Sequence, residues 1–239
     1  MASTFVNNLR LEEMETGEQS GTWGTKTNTN LELIGEALGF GTQAITTNAD
    51  TFASTIGDAT SDKERAMYIK YTGALDSNCT VTIGPNVISR LHFIENATTD
   101  SGSSGPYSII ISQGSGANVT IPNGDTKAVY LDGAGSGAAV VDAFASLNVV
   151  DLKVEDDLSL VSDSAVLGFG ADSDVTITHV HDTGLLINAA RELRFRDGDL
   201  KILSSADGQL DIGADTELEL TAPTVDLNGA LAISGDTTL

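Results

Sequence analysis

Apolar residues recur in a regular pattern between Asp151 and Leu239. They come in pairs, called couplets below, whose two members are separated by one residue. The couplets are Leu152/Val154, Leu158/Leu160, Leu167/Phe169, Val175/Ile177, Leu185/Ile187, Leu193/Phe195, Leu200/Ile202, Leu210/Ile212, Leu218/Leu220, Val225/Leu227 and Leu231/Ile233. They recur about every eight residues. Turn formers such as Asp207-Gly208 and Asn228-Gly229 lie between them, so each couplet is predicted to be a very short strand with both apolar residues on one face.

Strands with two apolar residues each cannot form a core within one copy of this segment. Such repeats bury their apolar row either by stacking as a solenoid or by meeting the same row on neighbouring chains. The couplets therefore predict a repetitive, trimeric β-shaft over residues 151–239. An antiparallel meander within a globular domain is the alternative. The array stops at Leu239 without a polar cap, and we expect the natural chain to continue beyond it.

Residues 1–45 have a different pattern, which predicts one short amphipathic helix. The sequence Thr29-Asn-Leu-Glu32 is a capping box. The helix that it opens would place Leu31, Ile34 and Leu38 on one face. Trp23 precedes it in a polar, glycine-containing loop. A segment of this size cannot hold a core of its own, so Trp23, Leu31, Ile34 and Leu38 are predicted to dock on a partner.

The middle of the chain reads as a linker followed by a β domain. Residues 46–61 are rich in Thr, Ala and Ser and are predicted to be the linker. Residues 62–150 contain several short apolar runs separated by Gly, Pro, Asn and Ser clusters, at intervals of roughly ten residues. That spacing predicts a β-sandwich. The fold class expected for the whole chain is therefore all-β with one short N-terminal helix.

Composition and charge exclude some kinds of binding partner. The 239 residues include 34 acidic and 12 basic side chains, a formal net charge of −22, and only 5% aromatics. Such a surface repels nucleic acid, whose binding depends on Lys and Arg. The sequence has no signal peptide and no apolar run long enough to span a bilayer, so we expect synthesis in a cytoplasm and no membrane insertion. Cys79 is the single cysteine, which rules out an intrachain disulfide.

Candidate chemistry is sparse. Adjacent carboxylates such as Asp156 and Asp157 are expected by chance in so acidic a chain, and no nucleophile elbow occurs, so catalysis is not predicted. His179 and His181 are the notable pair, because side chains at i and i+2 of a strand share a face. In a trimer with both histidines inward, six imidazoles would surround the axis and suit Fe²⁺ or another divalent metal. The alternative is that they reach water or bond to Asp182 and Thr178.

Three stretches of this sequence resemble virion structural proteins of tailed bacteriophages, in particular tail-fibre proteins of phages that infect marine bacteria. They are Gly21–Leu31, Ile111–Pro122 and Phe169–His179. The resemblance implies a homotrimeric appendage whose residues 1–45 attach to the phage tail and whose distal region reaches a host surface receptor. The pair at His179 and His181 is similar to pairs that bind iron on the axis of some phage fibres.

These observations together predict a structural component of a bacteriophage tail fibre, located in the virion. A tailspike enzyme that degrades surface polysaccharide is an alternative, and it would need a long parallel β-helix with a groove lined by carboxylates. A capsid or baseplate decoration protein is a third interpretation.

Overall fold

The computed structural model describes residues 2–46, 50–102, 104–188, 191–230, 232 and 234. The chain divides into two compact units, an N-terminal unit (Met1–Asp151) and a C-terminal unit (Leu152–Leu239). Strands predominate and one α-helix is present, which confirms the all-β expectation. Over the described ranges, no helix has the length and apolar character needed to cross a membrane.

The α-helix, α1 (Trp23–Ala37), begins six residues before the capping box that was expected to open it. Contacts with the preceding segment explain the extra turns. The Lys26 ammonium lies 2.9 Å from the Glu12 carboxylate, and the Asn30 amide exchanges hydrogen bonds with the Glu12 backbone. These tertiary contacts hold residues 23–30 in helical conformation, so the local capping signal does not set the helix start. Leu33 and Ala37 are the buried residues of the helix.

Eleven strands lie in the described part of the N-terminal unit. They are β1 (Phe40–Ala44), β2 (Thr51–Thr55), β3 (Tyr68–Thr72), β4 (Ala74–Leu75), β5 (Cys79–Gly84), β6 (Arg90–Asn96), β7 (Thr99–Asp100), β8 (Ile109–Ser112), β9 (Val119–Ile121), β10 (Thr126–Leu131) and β11 (Val140–Asp142). A short 3-10 turn at Gly135–Gly137 precedes β11.

The chain winds through three sheets in turn, and successive passes pair in parallel. In one sheet β1, β3 and β6 are neighbours, in a second β2, β5 and β8, and in a third β4 and β7. Paired residues are 25 to 30 positions apart, as in Tyr68 beside Phe93 and Cys79 beside Ile109. Each pass is therefore one coil of a short β-solenoid. The antiparallel strands β9, β10 and β11 follow the last coil and complete a five-stranded sheet (β1-β3-β6-β10-β11) and a four-stranded sheet (β2-β5-β8-β9).

Side chains that point into the coils form one apolar core. Buried and more exposed residues alternate in several strands, as in β5, where Cys79, Val81 and Ile83 are buried. Residues of the same parity lie side by side on stacked strands, as Val81 lies beside Ile111. The core cluster draws on both large sheets and on Leu75 of the smallest one. Cys79 is part of this core and is a free thiol.

Two sequence expectations differ from this arrangement. Residues 46–61 were expected to be a linker, but β2 lies within them and pairs with β5. The Thr-rich run supplies β-branched side chains that suit a strand once a neighbouring coil provides its hydrogen-bonding partner. Residues 62–150 were expected to form a β-sandwich, whose sheets are antiparallel, whereas the strand pairs between coils are parallel.

The C-terminal unit contains two three-stranded antiparallel meanders. The first consists of β12 (Val166–Phe169), β13 (Val175–Val180) and β14 (Gly184–Ile187), and the second of β15 (Leu193–Arg194), β16 (Lys201–Leu203) and β17 (Asp211–Gly213). Asp182, in the connection between β13 and β14, and Gly208, one of the predicted turn formers, in the connection between β16 and β17, are at positive φ. Couplets of adjacent strands lie in register: Leu167, Ile177 and Ile187 are opposite one another, as are Leu193, Ile202 and Ile212.

Candidate functional site

Helix α1 carries an exposed apolar stripe. It consists of Trp23, Leu31, Ile34 and Leu38, the set predicted from sequence to dock on a partner, and their side chains are 37% to 69% exposed. At 100° per residue the four positions fall within about 80° of the helix circumference, on a stripe about 22 Å long. The structure therefore brings all four predicted residues to one surface, although Trp23 is the first residue of the helix and does not lie in a loop.

A buried arginine holds the N-terminal segment against the coils. The Arg65 side chain is fully buried, and its guanidinium donates hydrogen bonds to the carbonyl oxygens of Leu9, Gly57 and Thr60. It also pairs with the Asp62 carboxylate at 2.9 Å. The Arg65 guanidinium thus binds both the segment around Leu9 and residues 57–62. We call Arg65 and these four partners the Arg65 clasp. No sequence motif marked Arg65, because carbonyls from distant parts of the chain are not visible as a pattern.

Burial is the main cause of the pKa shifts of four ionisable groups in the N-terminal unit. Burial lowers the pKa of His92 to about 4, with Arg90 adding repulsion, and it lowers the pKa of Arg90 to about 10. Burial also raises the pKa of Glu64 and of Tyr71. His92 Nδ1 lies 2.9 Å from the Ala66 carbonyl oxygen. Because a carbonyl only accepts, Nδ1 carries the proton, and Nε2 is left buried without a partner.

A second exposed apolar surface covers the outside of the five-stranded sheet. Residues of outward parity in register form two rows, Val141–Tyr130–Leu91 and Phe93–Tyr68–Phe40. Ala128, which lies opposite Phe93, has the same parity but is buried. We call this surface the outer sheet face. Phe40 is 63% exposed, Val141 48%, Leu91 47% and Tyr130 42%. This face was not predicted from the sequence, although β6 carries Leu91 and Phe93 on one side and Ile94 on the other, which indicates apolar residues on both sides of the strand.

The first meander of the C-terminal unit presents a third apolar surface. Its couplets share one face with His179, which lies opposite Leu185. A groove of about 420 Å³ on this face is lined by Leu160, Ala165, Leu167, Ile177, His179 and Leu185. None of the described residues from 152 onward is buried, so the couplet row is open to solvent in one copy of the chain.

His179 and His181 are not equivalent in the structure. His179 continues the apolar row, as its parity with Ile177 predicted, but β13 ends at Val180 and His181 lies in the following turn. His181 Nδ1 is 3.4 Å from Asp163 and Nε2 is 3.3 Å from Asp182. Within the described part of one chain, no group of three or more His, Cys, Asp or Glu residues could hold a metal ion. A site assembled from three chains stays a prediction. Asp156 and Asp157 lie exposed in a segment without strand.

Comparison with known proteins yields no relative: no family model, no curated protein and no solved structure matches this chain.

Proposed function

We propose that this protein is a homotrimeric structural component of a bacteriophage tail fibre. Residues 1–45 anchor it to the tail, the coiled β region forms the shoulder, and residues 151–239 form a β-shaft that carries host-recognition parts at its distal end. The three stretches that resemble tail-fibre proteins support the assignment to a phage. Its work is mechanical: attachment, spacing and transmission of contact from the host receptor.

The observation that carries the proposal is the exposed couplet row of the C-terminal unit. Its residues include Leu158, Leu167, Leu185, Leu210 and Leu220, each more than 40% exposed. Complete burial of one Leu, Val, Ile or Phe side chain contributes about 1.5–3 kcal/mol. In one chain these side chains stay in water and contribute none of this free energy. Association of identical rows would bury them and stabilise the assembly.

Several couplets also lack strand partners within one chain. Residues 152–165 and 214–230 contain no strand, although four couplets lie there: Leu152/Val154, Leu158/Leu160, Leu218/Leu220 and Val225/Leu227. The couplet Leu231/Ile233 lies outside the described residues. Backbone groups of such segments need partners when their side chains are buried. Neighbouring copies of the chain would supply both the hydrogen bonds and the apolar cover.

The stripe on α1 is the proposed tail anchor. It is an apolar helix face held on a fixed support by Leu33, Ala37 and the contacts to Glu12. Helices of this kind dock into apolar grooves through anchors at i, i+3, i+4 and i+7. Trp23 adds a large aromatic side chain, the type that most often dominates binding energy at interfaces.

Solution mass tests the trimer. Sedimentation equilibrium of the full chain is expected to give three times the 24.7 kDa of one chain. Leu167→Asp, on the couplet face, is expected to dissociate the assembly. Val166→Asp is the matched control, because Val166 is exposed on the opposite face of the same strand. A monomer at micromolar concentration, or equal effects of the two substitutions, would contradict the proposal.

The location in the virion is tested separately. Antibody raised against the protein is expected to mark tail appendages in electron micrographs of phage particles, and label on the capsid would contradict the assignment. Incubation of the trimer with host polysaccharide is expected to release no reducing ends, whereas release would favour the tailspike enzyme.

The metal site is proposed on the trimer axis, with His179 as the ligand that the apolar row directs inward and His181 as the second. Elemental analysis of untagged protein is expected to find about one divalent metal per three chains, the ratio for one octahedral site. His179→Ala is expected to remove it. A metal content well below that ratio, together with a melting temperature indifferent to chelator, would exclude the site.

A further inference from the structure

Two arginines of the N-terminal unit each bury a side-chain nitrogen that has no hydrogen-bond partner among the described residues. They are Nε of Arg65, whose side chain is fully buried, and Nη1 of Arg90, whose side chain is partly buried. Both atoms are donors, because a guanidinium has no acceptor. Unpaired donors of a buried charged group are costly and uncommon in folded proteins. They therefore indicate a ligand or water that accepts hydrogen bonds.

The two guanidinium groups belong to one cluster. Arg90 Nη2 donates a hydrogen bond of 2.6 Å to the backbone carbonyl oxygen of Arg65. This contact places the Arg90 side chain against the residue that carries the other unpaired donor. Burial lowers the pKa of Arg90 to about 10, and repulsion from the Arg65 charge contributes to the shift. The two positive charges are thus close enough to act on each other.

Positive charge is in excess in this cluster. Arg65 pairs with the Asp62 carboxylate at 2.9 Å, but Arg90 forms no ion pair with a carboxylate in the described part of the chain. Burial lowers the pKa of the nearby His92 to about 4, so His92 adds no charge at neutral pH. A charge that is taken out of water without an opposite charge is strongly unfavourable. The Arg90 guanidinium therefore lacks a counter-ion.

We propose that Arg65 and Arg90 together bind a small monatomic anion of the chloride type beside the Arg65 clasp. Such an ion accepts hydrogen bonds from any direction, so it can satisfy both Arg65 Nε and Arg90 Nη1. It also supplies the missing negative charge, which a water molecule at the same place would not. Arg90 is partly exposed, so the ion can enter from solvent. The site lies within one chain and does not depend on the proposed trimer.

Chlorine NMR of the full chain tests the site directly. The chloride resonance broadens when the ion exchanges with a protein site, because quadrupolar relaxation is fast in the bound ion. At neutral pH and constant ionic strength, the wild-type protein is expected to broaden the line saturably, and Arg90→Gln is expected to lose most of this effect. Arg10→Gln is the matched control and should behave as the wild type, because it removes the same charge from an arginine that already has a carboxylate partner, Asp58.

Thermal unfolding followed by Trp23 fluorescence gives an independent measure. In mixtures of chloride and gluconate at constant ionic strength, each tenfold rise in chloride above the dissociation constant is expected to raise the melting temperature by about 3–6 °C. Arg90→Gln is expected to show no such rise, and Arg10→Gln is expected to show the rise of the wild type. If Arg90→Gln does not fold, Arg90→Met takes its place, since it also removes the charge and keeps a long side chain.

Two kinds of result would overturn the proposal. If the wild-type protein neither broadens the chloride line nor responds to chloride on heating, water satisfies the two donors and no anion is bound. If Arg90→Gln keeps the chloride response, or Arg10→Gln loses it, the anion acts elsewhere on the protein. Neither result depends on the oligomeric state, so the site and the proposed function are tested separately.

Discussion

At the scale of single residues, Arg65 makes the buried contact that joins the N-terminal segment to residues 57–62. A guanidinium has donors in a fixed fork, and here they are directed at carbonyl oxygens from residues 9, 57 and 60. A lysine has one ammonium group in place of the planar guanidinium, so it could not reach all three carbonyl oxygens. The charge is tolerated in the interior because Asp62 accompanies it and because each of the three carbonyls is satisfied by it.

Replacement of Arg65 by Ala is therefore expected to destabilise the N-terminal unit by about 3–5 kcal/mol, since breaking a buried charged network leaves polar groups unpaired. Urea unfolding followed by the fluorescence of Trp23 measures it. Arg10→Ala is the matched control: Arg10 pairs with Asp58, whose side chain is 47% exposed, and the loss of this partly exposed pair is expected to cost less than about 1 kcal/mol. A small effect of Arg65→Ala would show that the clasp does not support the unit.

His92 makes the stability of the N-terminal unit depend on pH. Its pKa falls from 6.5 in the unfolded chain to about 4 in the folded one, because burial disfavours the imidazolium. As the pH drops from 6.5 to about 4, the unfolded chain takes up a proton that the folded chain does not. The stability present above pH 6.5 is then lost progressively, by up to about 3 kcal/mol.

Urea unfolding at pH 7 and pH 4.5 tests this dependence against the His92→Asn variant. Asn keeps a donor for the Ala66 carbonyl and does not titrate, so its stability is expected to fall less over the same range. Glu64 contributes with the opposite sign, because burial raises its pKa and its contribution is lost as the pH rises, but it is common to both proteins. An identical pH dependence in the two would exclude His92 as the cause.

At the scale of elements, α1 has one buried face and one exposed apolar face. Leu33 is 2% exposed and Leu31 is 61% exposed on the same helix. Leu33→Ala is expected to cost about 2–5 kcal/mol in the unfolding of the N-terminal unit, through lost burial and a cavity. Leu31→Ala is expected to change stability by less than about 0.5 kcal/mol while it weakens incorporation of the protein onto phage tails. Normal incorporation of a Leu31→Ala, Leu38→Ala double variant would place the anchor elsewhere.

Elements with local signals were predictable from the sequence, and those with distant partners were not. The couplet strands of the two meanders and the turns at Asp182 and Gly208 follow from neighbouring residues, and the structure contains them. The four couplets in residues 152–165 and 214–230 were also expected to be strands, but no strand forms there in one chain. Leu31, Ile34 and Leu38 were placed on one helix face because of their spacing, whereas Trp23 was expected in a loop and lies in the helix. The coils were missed because alternation in a strand does not say whether its partner is the next strand or one 25 to 30 residues away. Phe93-Ile-Glu-Asn96 resembles Tyr68-Ile-Lys-Tyr71 at that distance, and this similarity was the available signal.

At the scale of the whole molecule, charge opposes assembly. Three chains of −22 would carry −66. The Debye length shrinks from about 30 Å at 0.01 M salt to about 8 Å at 0.15 M, so added salt is expected to strengthen the trimer. Sedimentation at the two salt concentrations measures the change. Weaker association at the higher concentration would show that ion pairs, and not apolar rows, join the chains.

The antiparallel strands β9, β10 and β11 cover the last coil at one end of the stack. One coil is therefore the structural repeat of the N-terminal unit. Each coil meets only the coils beside it, so duplication or loss of 25 to 30 residues leaves both ends of the stack with the neighbours they already fit. Adjacent strands lie about 4.8 Å apart. Insertion or removal of one whole coil would therefore change the length of the stack by about that distance, whereas insertion of one residue within a strand would shift the register of that strand against its neighbours.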